Sequence, residues 1–217
     1  MRKKGLTMFY VFEGIDGAGC GAQRKEVAER LQKQGLEVYT LKYPYYGTAI
    51  GQLIHEFLHE KIDLSEEMQF LLYSSQMIYD KPEIEKARQT GILLVDRYFT
   101  TTLCYQVLKG FPEEKALTFA GIFEMPRPDV VFYLDVPAET AMERKQKEIG
   151  KENPDRHERD LELMRKTRER YKDLAKRQVF APWHVIDGKT SIDEISNQLV
   201  QYILQKERKE NNEEISI

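Results

Sequence analysis

Cysteine is scarce in this chain: Cys20 and Cys104 are the only two in 217 residues. They build no disulfide framework and lack metal-ligand spacing, which fits a reducing compartment. Long apolar runs are missing too, since no stretch approaches the ~18 residues of a membrane span. Neither sign of charge dominates, with 33 basic against 36 acidic side chains and a net charge of −3. That balance argues against broad nucleic-acid or membrane-surface affinity and leaves room for local basic pockets. The basic "MRKK" start meets Glu13 and a Gly-rich turn after a short apolar run, so it does not read as a signal peptide. A cytoplasmic protein with no nucleic-acid or membrane partner is expected. Repeats and linkers are absent, so residues 1–207 read as one domain and 208–217 as a flexible polar tail.

What is present is an alternation of strands and helices. "MFYVFE" (8–13), "GILLVDR" (91–97) and "PDVVFYLDV" (128–136) are nearly unbroken apolar runs, as strands buried on both faces require. "LEVYTLK" (36–42) and "WHVID" (183–187) complete a set of five. Helices fall between them: one to about Gln34, ended by Gly35, one from Ser65, one opening at "FPEE", a charged one over roughly 157–177, and one from Ser191, where "SIDE" is a capping box. Strands separated by helices predict an α/β fold, a parallel doubly wound sheet. Ligands of such sheets bind beyond the carboxyl ends of the strands, which singles out the segments after Glu13, Lys42, Val95 and Leu134.

The first of these segments, "EGIDGAGCGAQRK", has the GxxxxG spacing of a phosphate loop from Gly14 to Gly19, after a strand and before a helix. Gly14, Gly17 and Gly19 allow the backbone amides to curl inward, and the helix start adds partial positive charge. Ile15, Asp16, Ala18, Cys20, Gly21, Ala22 and Gln23 complete the stretch expected to hold ATP. The alternative is a tight turn that binds nothing. Two side-chain functions are missing, because Cys20 and Gly21 stand where such loops carry Lys and then Ser or Thr. Losing one charge-assisted contact of ~2–5 kcal/mol slows a reaction roughly 30- to several-thousand-fold unless another cation takes over.

At "FEGIDGAG", "VDRYFTTTLCYQ", "PDVVFYLDVPAETAMERK" and "DRHERD" the chain resembles the thymidylate kinases, in family order from Phe9 to about Ile203. The resemblance implies a P-loop, nucleoside monophosphate kinase type of sheet with helices on both faces, and transfer of the γ-phosphoryl of ATP to dTMP with Mg²⁺. It places Asp16 on the sugar 3′-hydroxyl, although a short carboxylate there also suits capping the turn. Asp96 is expected near Mg²⁺ through water and Arg97 on the acceptor phosphate, the alternative being an ion pair that closes the strand. Thr101, Tyr105 and Gln106 match the acceptor pocket. In "LKYPYYGTAIG", Lys42 is the cation with Tyr43 and Pro44 beside it, a point charge where the family places an Arg. Residues 142–159, with six basic and five acidic side chains, match a mobile lid. Because Gly17 is small, the lid is expected to supply the arginine, from Arg144 and Arg156 with Lys147 in reserve; Asp187 matches the adenine end. A homodimer is also implied.

The helix after Ser65 departs from the family pattern. At 100° per residue, Met68, Leu71, Leu72, Ser75, Tyr79 and Pro82 share one face, expected to be core. Phe70, Tyr73 and Met77 form a second stripe, read as acceptor-binding or as subunit interface or further core. Tyr73 sits where the family stacks a ring on thymine, and Met77 where it carries an Arg to the base. The charge is therefore expected to be redistributed over Lys42, Arg97, Arg144 and Arg156. Two alternatives stay open: a kinase for dUMP or a modified pyrimidine, and a nucleotide-binding protein with lost or weak catalysis.

Overall fold

The computed structural model describes residues 7–148 and 160–214. Five parallel strands form one sheet in the order β2–β3–β1–β4–β5. They are β1 (Met8–Glu13), β2 (Val38–Lys42), β3 (Ile92–Asp96), β4 (Val130–Asp135) and β5 (Trp183–Asp187). The three central strands are buried almost throughout, which is why they read as continuous apolar runs, whereas edge strand β2 is half exposed. Because all strands run the same way, Glu13, Lys42, Asp96, Asp135 and Asp187 finish along one edge, with Lys42 in register with Asp96 and Asp135 with Asp187.

Two helices cover one face. These are α1 (Cys20–Lys33) and α9 (Ile192–Glu214), and Tyr202 of α9 meets Phe132 of β4 edge-on at 5.4 Å. The other face carries α4 (Lys81–Thr90) and α8 (Leu161–Arg177), whose Tyr171 stacks on Tyr133 at 5.4 Å. Helix α5 (Phe99–Leu108) packs between α8 and α3 (Glu66–Tyr79), and α2 (Ala49–Leu58) lies against α3 around a small core of Ile54, Phe57 and Leu58. Helices α6 (Glu113–Ile122) and α7 (Ala138–Glu148) are the remaining helices among the described residues. No helix among the described residues is long and apolar enough to cross a membrane.

Local signals in the sequence appear as caps. The Ser65 hydroxyl accepts from the Met68 amide at 3.3 Å, and Ser191 and Glu194 exchange the two bonds of a capping box at 3.2 and 3.0 Å. Gly35 follows α1 with φ +82, a left-handed position. Helix α9 keeps its helical backbone to Glu214, through most of the segment expected to be a tail.

The buried face of α3 is the reverse of the expected one. Met68, Leu71 and Tyr79 are 50%, 46% and 67% exposed, while Phe70 and Met77 are buried. With apolar residues on both faces, period alone does not choose between them. The partners choose: Phe70 stacks on Phe111 at 4.2 Å and meets Phe99 and Phe119 edge-on.

Candidate active site

The phosphate loop is built by glycines at left-handed angles, Gly17 at φ +81 and Gly19 at φ +93. Gly19 stands at the N-cap of α1 with no side-chain cap, so the first-turn amides of that helix have no side-chain partner there. A Cβ on Gly17 would fall well inside contact distance of the Ala141 carbonyl, so the loop lies directly on the backbone of α7. That closeness excludes a loop arginine at 17. Cys20 points inward, with its sulfur 3.1 Å from where a Gly14 Cβ would stand, and it joins the main core. Burial, then the nearby Asp96 charge, pushes its thiol well above the ordinary range, so it stays protonated. Cys20 is a packing residue.

Gly21 lies against Asp96: a Cβ there would sit 3.0 Å from Asp96 Oδ2, a tight contact that a shift of the carboxylate by a few tenths of an ångström relieves. Among the described residues the Asp96 side chain makes no hydrogen bond or ion pair. The strand-closing pair with Arg97 is therefore not formed. Arg97 instead pairs with Asp16 of the loop, and the Tyr105 hydroxyl donates to Asp16 Oδ2 at 3.3 Å. Burial alone would lower the Arg97 pKa, but the Asp16 charge and neighbouring phenols hold it well above its usual value. Beside this cluster opens a cleft of about 480 Å³, its open mouth included. Pro44, Leu58, Tyr73 and Thr101 wall it, with Thr102 and Gln106. Gln106 is 2% exposed, and its Oε1 has no hydrogen-bond partner among the described residues.

A glycine loop at a helix start, an acid at the neighbouring strand end without a partner among the described residues, and a half-buried arginine beside a cleft are features that suit phosphoryl transfer. A family model described as "Thymidylate kinase" matches residues 12–199. The chain belongs to the thymidylate kinase family. It is 30% identical to a thymidylate kinase of Dictyostelium discoideum, over 92% of this chain and 85% of that one. Against a thymidylate kinase of Thermoanaerobacter sp. (strain X514) the figures are 34%, 90% and 96%, and against one of Plasmodium falciparum 32%, 93% and 91%.

Several residues expected at the site of this thymidylate kinase family member lie elsewhere. Phe70 and Met77 are core side chains and do not line the cleft; Tyr73 alone of that trio does. Tyr43 is buried with its hydroxyl donating to Asp80 at 2.8 Å, while its neighbour Pro44 reaches the cleft. Lys42 is exposed and lines a separate hollow with Arg24, Tyr45, Asp80 and Glu83. Gln23 is spent on α9: its amide donates to Ile192 O at 3.2 Å and its carbonyl accepts from Ser196 at 2.6 Å. Ile15 is buried, which leaves only its backbone to the loop.

On the donor side, Arg144 of α7 donates to Gly188 O at 3.0 Å, next to Asp187, so the two residues expected at the ATP end share one edge. Asp187 is itself exposed and paired with Lys189 at 3.4 Å. Arg156 lies outside the described residues. Sequence reading missed Leu58 and Thr102, because helix α2 was not anticipated and Thr102 sits inside an apolar helix. No group of three or more His, Cys, Asp or Glu side chains able to hold a metal occurs among the described residues. A single partnerless carboxylate beside a phosphate loop does fit Mg²⁺, which uses one or two carboxylates plus substrate phosphates.

Proposed function

We propose that this protein transfers the γ-phosphoryl group of ATP to dTMP, giving ADP and dTDP. The observation that carries the reading is the Asp16–Arg97–Tyr105 cluster between the phosphate loop and the cleft. Arg97 leaves Asp16 to fork onto the 5′-phosphate of the acceptor, and Asp16 then turns to the sugar 3′-hydroxyl. Gln106 Oε1, an acceptor without a partner, takes the N3–H of the base; thymine and uracil have that donor and cytosine lacks it. Tyr73 packs on the ring.

An oxygen of the acceptor phosphate attacks the γ-phosphorus, a new P–O bond forms, and the bond to the bridging oxygen of ADP breaks. Loop and α1 amides hold the β- and γ-phosphates in line, so positioning and charge stabilisation do most of the work. Asp96 would hold Mg²⁺ through water, and the ion would supply charge neutralisation to the transferring group. Arg144, released from Gly188, and Arg156 replace the absent loop lysine. The chain acts in the cytoplasm as a homodimer. Its dimer surface is the exposed apolar face of α3, Met68, Leu71 and Tyr79, continued by Ile122 and Phe123, which Lys81 ties to the α3 end through Phe123 O at 3.1 Å.

Purified protein with ATP, Mg²⁺ and a panel of dTMP, dUMP and dCMP tests this directly. dTDP is expected as the fastest-formed product and dCMP as unreactive. Ligand-induced thermal stabilisation without any diphosphate product overturns the kinase reading. A monomer at micromolar concentration in analytical ultracentrifugation removes the dimer.

A further inference from the structure

Neither the loop motif nor the family likeness assigns a part to Glu13. The residue ends β1 and is fully buried. Four donors converge on its carboxylate. The Tyr98 amide and Thr100 hydroxyl donate to Oε1 at 3.1 and 2.5 Å, and the Thr101 and Tyr171 hydroxyls donate to Oε2 at 2.6 and 2.8 Å. An ionised carboxylate has about four acceptor positions, and all of them are taken. Burial pushes its pKa up, while the Arg97 charge and the three hydroxyls pull it back.

Three of those donors belong to residues 98–101, directly after Arg97, and Arg97 has φ +64. That left-handed angle is disfavoured for any residue with a Cβ and persists only where surrounding bonds impose it. Two bonds flank the strained position. The Arg97 amide donates to Phe12 O at 3.0 Å, and the Tyr98 amide donates to Glu13. The turn is thus fastened to β1 on either side of the arginine. The fourth donor, Tyr171, ties the same carboxylate to α8.

We propose that Glu13 is the positioning residue of the acceptor site: by accepting from Tyr98, Thr100, Thr101 and Tyr171 it holds the left-handed turn that aims Arg97 into the cleft. The inference rests on reading Arg97 as the cation that takes the acceptor phosphate, and the test separates the two. Steady-state kinetics are measured for both substrates on the full chain and on Glu13→Gln, Arg97→Ala and the double variant. Glu13→Gln is expected to lower kcat/KM for dTMP about thirtyfold, the size of losing a hydrogen bond to a charged group. The KM for ATP stays within about twofold. The double variant is no worse than Arg97→Ala by more than about threefold, because one residue acts through the other.

Equal shifts for both substrates, or losses that multiply in the double variant, overturn the inference. Should Glu13→Gln fail to fold, Thr100→Val and Tyr171→Phe keep the carboxylate and remove one donor each. Each should raise the KM for dTMP a few-fold, and an unchanged KM in both also overturns it. If Arg97→Ala alone leaves dTMP kinetics intact, the reading of Arg97 falls first.

Discussion

The two halves of the proposed site are built from different materials. The proposed acceptor half is made of side chains: Asp16, Arg97 and Tyr105 already engage one another, and Gln106 offers an acceptor with no partner among the described residues. The proposed donor half is made of backbone, with glycines at φ +81 and +93 and a helix start without a side-chain cap, and a buried thiol and a glycine stand where such loops carry Lys and Ser or Thr. Side-chain sites select by charge and hydrogen-bond pattern, and they lose function when one group is removed. Backbone sites depend on shape, so they tolerate changes of side-chain chemistry and fail when the chain path is disturbed.

The sharpest test of that contrast is Arg97→Ala. It should lower kcat/KM for dTMP about a thousandfold, the effect of removing the cation that takes the acceptor phosphate and leaving half-buried Asp16 without its partner, with little change in the KM for ATP. A uniform loss for both substrates would erase the division between halves. Next in size is Gly17→Ala, which demands a left-handed alanine and a Cβ inside the Ala141 carbonyl. Loss of ATP affinity by about tenfold to a hundredfold is expected, read by calorimetry, with dTMP binding retained. Gln106→Leu should lower kcat/KM for dTMP about tenfold and flatten the preference over dCMP.

The smallest effect belongs to Cys20→Ser. Turnover should stay within about threefold, since a thiol that packs into the core has no part in the chemistry. Because burial and Asp96 raise the Cys20 pKa, the thiolate is suppressed, and alkylation of the native protein should stay slow through about pH 9. Fast alkylation at neutral pH would show an accessible thiolate and give the donor half a side-chain function after all.

Legibility differed along the chain for physical reasons. The five strands and their carboxyl edge were readable because strands buried on both faces must be apolar throughout, and because caps such as Ser65 and Ser191 act over a few residues. Arg97, Asp16, Thr101, Tyr105 and Gln106 do converge, each standing near a strand end or on the helix that follows one. Tyr43, Gln23, Phe70 and Met77 were misplaced because each has a long-range partner invisible from its neighbours: Asp80, Ser196, the Phe111 ring and the main core. Glu13 was read only as the end of a strand, since its four donors lie between 85 and 158 residues away.

By itself the sequence determined the parallel sheet, the glycine-built cradle after β1 and the order of the motifs, all of which follow from local backbone preference and the period of apolar residues. Only the tertiary structure decided which face of α3 is buried, which acid Arg97 pairs with, and how closely Asp96 approaches position 21. Those outcomes depend on contacts between distant segments, where packing and charge act through space and leave no periodic trace along the chain.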